Sequence, residues 1–247
     1  MIQVEGLVKK FGKSQYAVNN TSWTASDGHI TGFIGPNGAG KTTTLKMLTG
    51  ILRPDQGRVL LNGIDIMQDP LEAKKQFGYV SDSPDHFLRL TGLEYLNFMA
   101  DIYDVPSEGR SEFIEKNATR LGIHDALGKK IVSYSHGMRQ KIMILGALIH
   151  KPSIWILDEP LTGLDPQAAY ELKLMMKEHV AEGNSVLFST HVLEVAEKLC
   201  DHIMIIKMGE LMFEGSFEEL TARYPEGTDL EEIFLSITGA KPEDANE

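Results

Sequence analysis

Cysteine is nearly absent: Cys200 is the single thiol in 247 residues, so no disulfide can close within the chain. Long hydrophobic runs are missing too. IMILGALI, residues 142 to 149, has eight residues, where a membrane-spanning helix needs about 20. The opening MIQVEGLVKKFG lacks the charged-then-apolar layout of a secretory signal. These absences lead to the expectation of a protein in a reducing cytoplasm that does not itself cross a bilayer. Positive charge is scarce as well: 24 Lys and Arg face 35 Asp and Glu, for a net charge of -11. That balance argues against the basic stripe of a nucleic-acid binder, and no nucleic-acid partner is expected. Residues 225 to 247 carry seven acids against Lys241 alone, so this stretch reads as an acidic C-terminal tail, with KPEDANE as a solvated, disordered end.

The 42% of apolar residues suffices to bury a sizeable core. Short β-branched runs at 2–8, 29–35, 58–63, 77–81, 153–158, 185–190 and 202–208 alternate with helical patterns. Such alternation predicts an α/β fold with a mixed, mostly parallel sheet. The early runs, with turns at Asp27-Gly28 and Asn62-Gly63, predict an antiparallel N-terminal β flank. Residues 91–104, 107–121 and 136–150 give three helices in succession, which predicts a helical subdomain inserted in the core. The expected division is a core of 1–81 and 151–224, a helical subdomain of 82–150, and the tail of 225–247.

IVSYSHGMRQK, residues 131 to 141, turns from an extended segment into a helix at Ser135. Ser135 is a good N-cap, yet Gly137 inside the first turn weakens a helix by about 1 kcal/mol relative to Ala. A helix start with bare amides and small side chains suits an anion. A second anion site is explicit in GPNGAGKT, residues 35 to 42, which fits G-x-x-x-x-G-K-[ST] between a β-rich run and the helical KTTTLKMLTG. Gly35, Gly38 and Gly40 let the backbone curl its amides toward phosphate oxygens, with Pro36, Asn37 and Ala39 completing the loop and Thr43 following it. Lys41 adds charge at the β and γ phosphates, and the Thr42 hydroxyl completes a Mg²⁺ shell. This is a P-loop.

SIWILDEP, residues 153 to 160, delivers Asp158 to that metal at the end of a buried strand, and Glu159 follows as a carboxylate able to polarise an attacking water. FSTH puts His191 just past the next strand, within reach of the γ-phosphate or of Glu159. The order GPNGAGKT, YSHGM, ILDEP, LTGLD, FSTH resembles the nucleotide-binding subunit of an ABC transporter over nearly the whole chain. The resemblance implies ATP and Mg²⁺ as ligands, and two ATPs sandwiched between two subunits. Ser135 and Gly137 would then touch the γ-phosphate of the ATP held by the partner subunit. It also implies adenine stacking at Phe11 and a dimer-crossing loop, LTGLD, with Asp165 as its key residue.

The sequence departs from the family in two places. Tyr134, His136 and Met138 replace three residues of the usual Leu-Ser-Gly-Gly-Gln signature, and His136 is either a solvated first-turn residue or an added donor. After FGYVS the family places a Gln that touches Mg²⁺, where this chain has Asp82; either metal binding changes or Asp82 swings away. Phe87, Leu88 and Leu90 follow, and they either dock a short helix of a membrane subunit or tuck under the next helix. The expected function is a cytoplasmic ATPase on the inner face of the membrane, dimerising on ATP as a homodimer or heterodimer and driving a transmembrane permease. The altered signature and short single domain resemble bacterial ABC-2-type, Ecs-like exporter ATPases. The rival is an ABC-type ATPase acting on ribosomes or DNA, which usually joins two cassettes or a long coiled coil; the sequence has neither a second P-loop motif nor extended heptads. A GTPase would need an Asn-Lys-x-Asp stretch to read guanine, and none occurs.

Overall fold

The computed structural model describes residues 1–12 and 15–239, so the terminal KPEDANE lies outside the described residues. The chain opens with β1 (Ile2–Phe11), β2 (Gln15–Ala25) and β3 (Ile30–Ile34), which runs into α1 (Lys41–Leu48). Next come β4 (Gln56–Leu61), β5 (Ile64–Asp65), α2 (Pro70–Lys75) and β6 (Phe77–Val80). Three helices follow in succession, α3 (Gly92–Ile102), α4 (Arg110–Arg120) and α5 (His136–Leu148). The chain then returns to alternation with β7 (Ile154–Asp158), α6 (Pro166–Ala181), β8 (Ser185–Thr190), α7 (Leu193–Leu199) and β9 (His202–Lys207). After β10 (Glu210–Gly215) come α8 (Phe217–Thr221) and α9 (Leu230–Thr238).

The central sheet has the order β10-β9-β3-β8-β7-β6. Its strands are parallel except for β10, which folds back on β9. Every residue of β3, β7 and β8 is buried, as expected of strands covered on both faces. Alternation along β7 divides the core. Trp155 and Leu157 pack with α3, α5 and α6, whereas Ile154 and Ile156 pack with Leu45, Met47 and Leu48 of α1.

The antiparallel flank is a sheet of its own, ordered β2-β1-β4-β5, which closes the α1 side through Ile2, Val4, Leu7, Trp23, Val59 and Leu61. β2 has no counterpart among the sequence-predicted strands. Asn20 sits at φ 50° and the β1–β2 register slips beside it, so the buried positions Val18 and Thr21, Trp23, Ala25 fall out of a single alternation. Within the expected acidic tail, Leu230–Thr238 folds as α9 behind its Asp229 cap. α9 buries Ile233 against Ile203, Ile205 and Phe213, so its acids occupy the outer face of a packed helix.

Candidate nucleotide site

β3 ends at Ile34 and α1 starts at Lys41, leaving residues 35–40 as the loop between them. No side chain caps α1, whose N-cap is Gly40 at φ 108°. The first amides therefore face outward with the positive end of the helix dipole behind them. Gly40 is required twice over: its φ is left-handed, and a Cβ would strike the Ala17 carbonyl of β2. The loop is also tied to the β9–β10 turn. Gly209 N–H donates to Ala39 O at 2.8 Å, and Asn19 N–H donates to Gly209 O at 2.8 Å.

Lys41 is buried, and its Nζ donates to Gly35 O at 2.6 Å and Pro36 O at 3.3 Å. Burial pulls its ammonium below the usual range, while Glu159 and Asp158 push it back up. Nζ stands 3.6 Å from Glu159 Oε1. The other carboxylate oxygen, Oε2, lies 3.0 Å from His191 Nδ1. Glu159 itself holds φ 46°, a conformation a side-chain-bearing residue keeps only where its surroundings enforce it.

Asp158 is fully buried at the end of β7. Burial raises its pKa most strongly, Asp82 and Glu159 raise it further, and the hydroxyls of Ser189 and Thr42 oppose the shift. Ser189 Oγ donates to its Oδ1 at 2.5 Å, whereas Oδ2 has no hydrogen-bond partner among the described residues. Ser189 was not singled out in the sequence. Its signal was adjacency, since it stands two residues before His191 on a strand next to the one that delivers Asp158.

Phe11, Ala17, residues 36–43, Asp82 and Glu159 line one cleft of about 280 Å³. Phe11 is half exposed at its edge and does not belong to the core. Asp82 lines this cleft, where its charge reaches Asp158. Ser135, Gly137 and Asp165 do not line it. Ser135 caps α5, accepting from Met138 N–H at 3.3 Å. A Cβ on Gly137 would lie 2.5 Å from the Gly163 carbonyl, so close packing on the 161–165 segment requires Gly here irrespective of any anion. A Cβ on Gly163 would in turn meet the His136 ring. Asp165 caps α6, accepting from Ala168 N–H at 2.9 Å, and pairs with Lys141 of α5 at 2.6 Å. The three predicted dock residues separate: Leu88 and Leu90 pack against the core, whereas Phe87 is exposed, 5.1 Å from Tyr95 and 5.5 Å from Phe98 between ring centroids. A larger cleft of about 800 Å³ lies between α4 and α6, lined in part by His150 and His179, and it contains none of the predicted site residues.

Residues 18–162 match the family described as ABC transporter. The chain belongs to the ABC transporter family. It is an ATP-binding subunit and an ATPase of that family. This ABC ATPase is 34% identical to the ABC-type transporter ATP-binding protein EcsA of Bacillus subtilis over 222 residues, 90% of each chain. It is 32% identical to the linearmycin resistance ATP-binding protein LnrL of the same organism over 239 residues, 97% of this chain and 76% of that one. A solved ATP-binding subunit of an ABC transporter superposes with a TM-score of 0.90 at 29% identity, over 96% of this ABC ATPase and 98% of that chain. No helix among its described residues is long and apolar enough to cross a membrane.

Proposed function

We propose that this ABC ATPase hydrolyses Mg²⁺-ATP between two subunits and drives a transmembrane export permease from the cytoplasmic face. The observation that carries the proposal is the meeting of Lys41, Glu159 and His191 at the mouth of one phosphate-shaped loop. Lys41 holds the β and γ phosphates, Glu159 takes the proton of the attacking water, and His191 fixes the Glu159 carboxylate. Phe11 offers its exposed ring to adenine. The donor set fits Mg²⁺: Asp158 has a buried oxygen without a hydrogen-bond partner among the described residues, beside the hydroxyl of Thr42. When bound, Mg²⁺ would neutralise charge on the phosphate oxygens, and the protein's part is to hold Asp158, Thr42 and Asp82 toward it.

The second subunit accounts for what the cleft leaves out. Ser135, Gly137 and Asp165 lie off this chain's own cleft, on the face that would meet a partner's nucleotide. In this reading residues 1–81 and 151–224 bind and cleave ATP, and 82–150 carries the signature helix and the permease contact. The export direction is supported by the likeness to the linearmycin resistance protein. The test is Glu159→Gln, expected to keep ATP affinity while slowing hydrolysis by roughly 10²-fold to 10⁴-fold. An ATP-dependent dimer should then appear by size-exclusion chromatography. Hydrolysis at the parental rate would assign the base to another group.

A further inference from the structure

Ser189 holds both acids of the site through a single atom, its hydroxyl oxygen. Its backbone pairs with Asp158 across β7 and β8, and the side chain is fully buried. The hydroxyl donates its proton to Asp158 Oδ1 at 2.5 Å and accepts the Glu159 backbone N–H at 3.0 Å. Both contacts use the same oxygen, so moving it moves both acids.

We infer that Ser189 is a positioning residue for hydrolysis: it turns Asp158 so that Oδ2 faces the cation, and it pins the left-handed turn that aims the Glu159 carboxylate. The inference rests on the ATPase reading above. Two features support a task beyond filling the core. Among the described residues only Oδ1 of Asp158 has a hydrogen-bond partner, so Ser189 decides which oxygen remains for the metal. Glu159 sits at φ 46°, where a β-carbon is crowded by its own backbone, and its N–H is directed at the Ser189 oxygen. Alanine would leave a buried carboxylate oxygen and a part-buried N–H without these partners. Groups that orient a metal ligand in this way typically change metal affinity by about 10-fold to 100-fold when removed.

The experiment compares the full chain with Ser189→Ala, Ser189→Thr, Ser189→Cys and Asp158→Asn. A fluorescent ATP analogue is titrated in EDTA and again across a Mg²⁺ series, and ATPase is measured over the same series. Ser189→Ala should keep the Mg²⁺-free nucleotide affinity within about twofold, raise the half-saturating Mg²⁺ concentration about tenfold, and lower kcat even at saturating Mg²⁺. Ser189→Thr, which retains the hydroxyl, should recover both. If Ser189→Ala does not fold, as judged by its melting curve, Ser189→Cys must show an intermediate Mg²⁺ shift. A Mg²⁺ titration in the Ala or Cys variant that superimposes on the parent overturns the inference. So does a Mg²⁺-free affinity that falls in step with the Mg²⁺-bound one, because the hydroxyl would then only support the fold. An unshifted titration in Asp158→Asn overturns the underlying site reading, which separates the two failures.

Discussion

At the scale of single residues, the departure with the largest electrostatic effect is Asp82, which brings a third carboxylate to a site that already holds Asp158 and Glu159. Its position in the cleft favours the reading in which it helps attract the cation. Asp82→Gln should therefore raise the Mg²⁺ concentration for half-maximal ATPase by roughly fivefold, corresponding to about 1 kcal/mol between charges across a solvated cleft. Superimposable Mg²⁺ titrations of the two proteins would place Asp82 outside the metal's influence. The P-loop residues were legible in the sequence because phosphate chemistry demands fixed spacing: three glycines, a lysine and a threonine in eight positions admit few other readings. Gly137 was legible for only half of its reasons. An anion can be inferred from a helix that begins with small residues, but the Gly163 carbonyl pressing on it comes from a segment about 25 positions away and is visible only after folding. Ser189 escaped notice for a related cause, since a serine in a buried strand acquires meaning from whatever the neighbouring strand presents.

At the scale of elements, the helices of the inserted subdomain end within about three residues of their predicted bounds. Thr91 and Glu94 form a capping box at α3, and Ser135 caps α5, so local chemistry fixes where they begin. β2 was missed because its bulge interrupts the alternation that identifies a strand. α9 was missed because the acids of the surrounding 225–247 stretch dominate its charge, although Leu230, Ile233, Phe234, Leu235 and Ile237 make the helix itself mostly apolar. The loop before α3 gives a sharper expectation than its sequence did. Leu88 and Leu90 anchor the loop in the core, which leaves Phe87, at φ 54°, presenting its ring beside Phe98. Phe87→Ala should keep the basal ATPase and the melting temperature close to those of the parent while weakening association with the permease by roughly 1–3 kcal/mol, the usual loss for an aromatic interface anchor. Co-purification of the two subunits, with ATPase measured on the free protein, checks this. Undiminished association would place the permease elsewhere on the subdomain.

For the whole molecule, acid stability should depend on the cleft opposite the nucleotide site. Burial pushes His150 and His179 down to about 4 from the ordinary 6.5. His150 stacks on Tyr103 with centroids 3.8 Å apart, and His179 meets the edge of Trp155. Both rings are neutral in the folded chain, so between pH 6.5 and 4 the unfolded chain binds more protons. Their contribution is complete above pH 6.5 and is lost as pH falls toward 4, by roughly 1–2 kcal/mol per ring after allowance for partial solvent contact. Chemical denaturation across that range should show the decline, and His150→Asn with His179→Asn should flatten it; an equal slope in the double variant would assign the acid sensitivity to carboxylates. One further consequence follows from the turn that ties Gly209 to Ala39. The phosphate loop is synthesised well before β8 and β9, which flank its strand, and before the turn that braces it. A nascent chain carrying the complete GPNGAGKT segment would therefore lack the scaffold that shapes it. Nucleotide capture should therefore wait until β9 and the turn at Gly209 have emerged behind the loop.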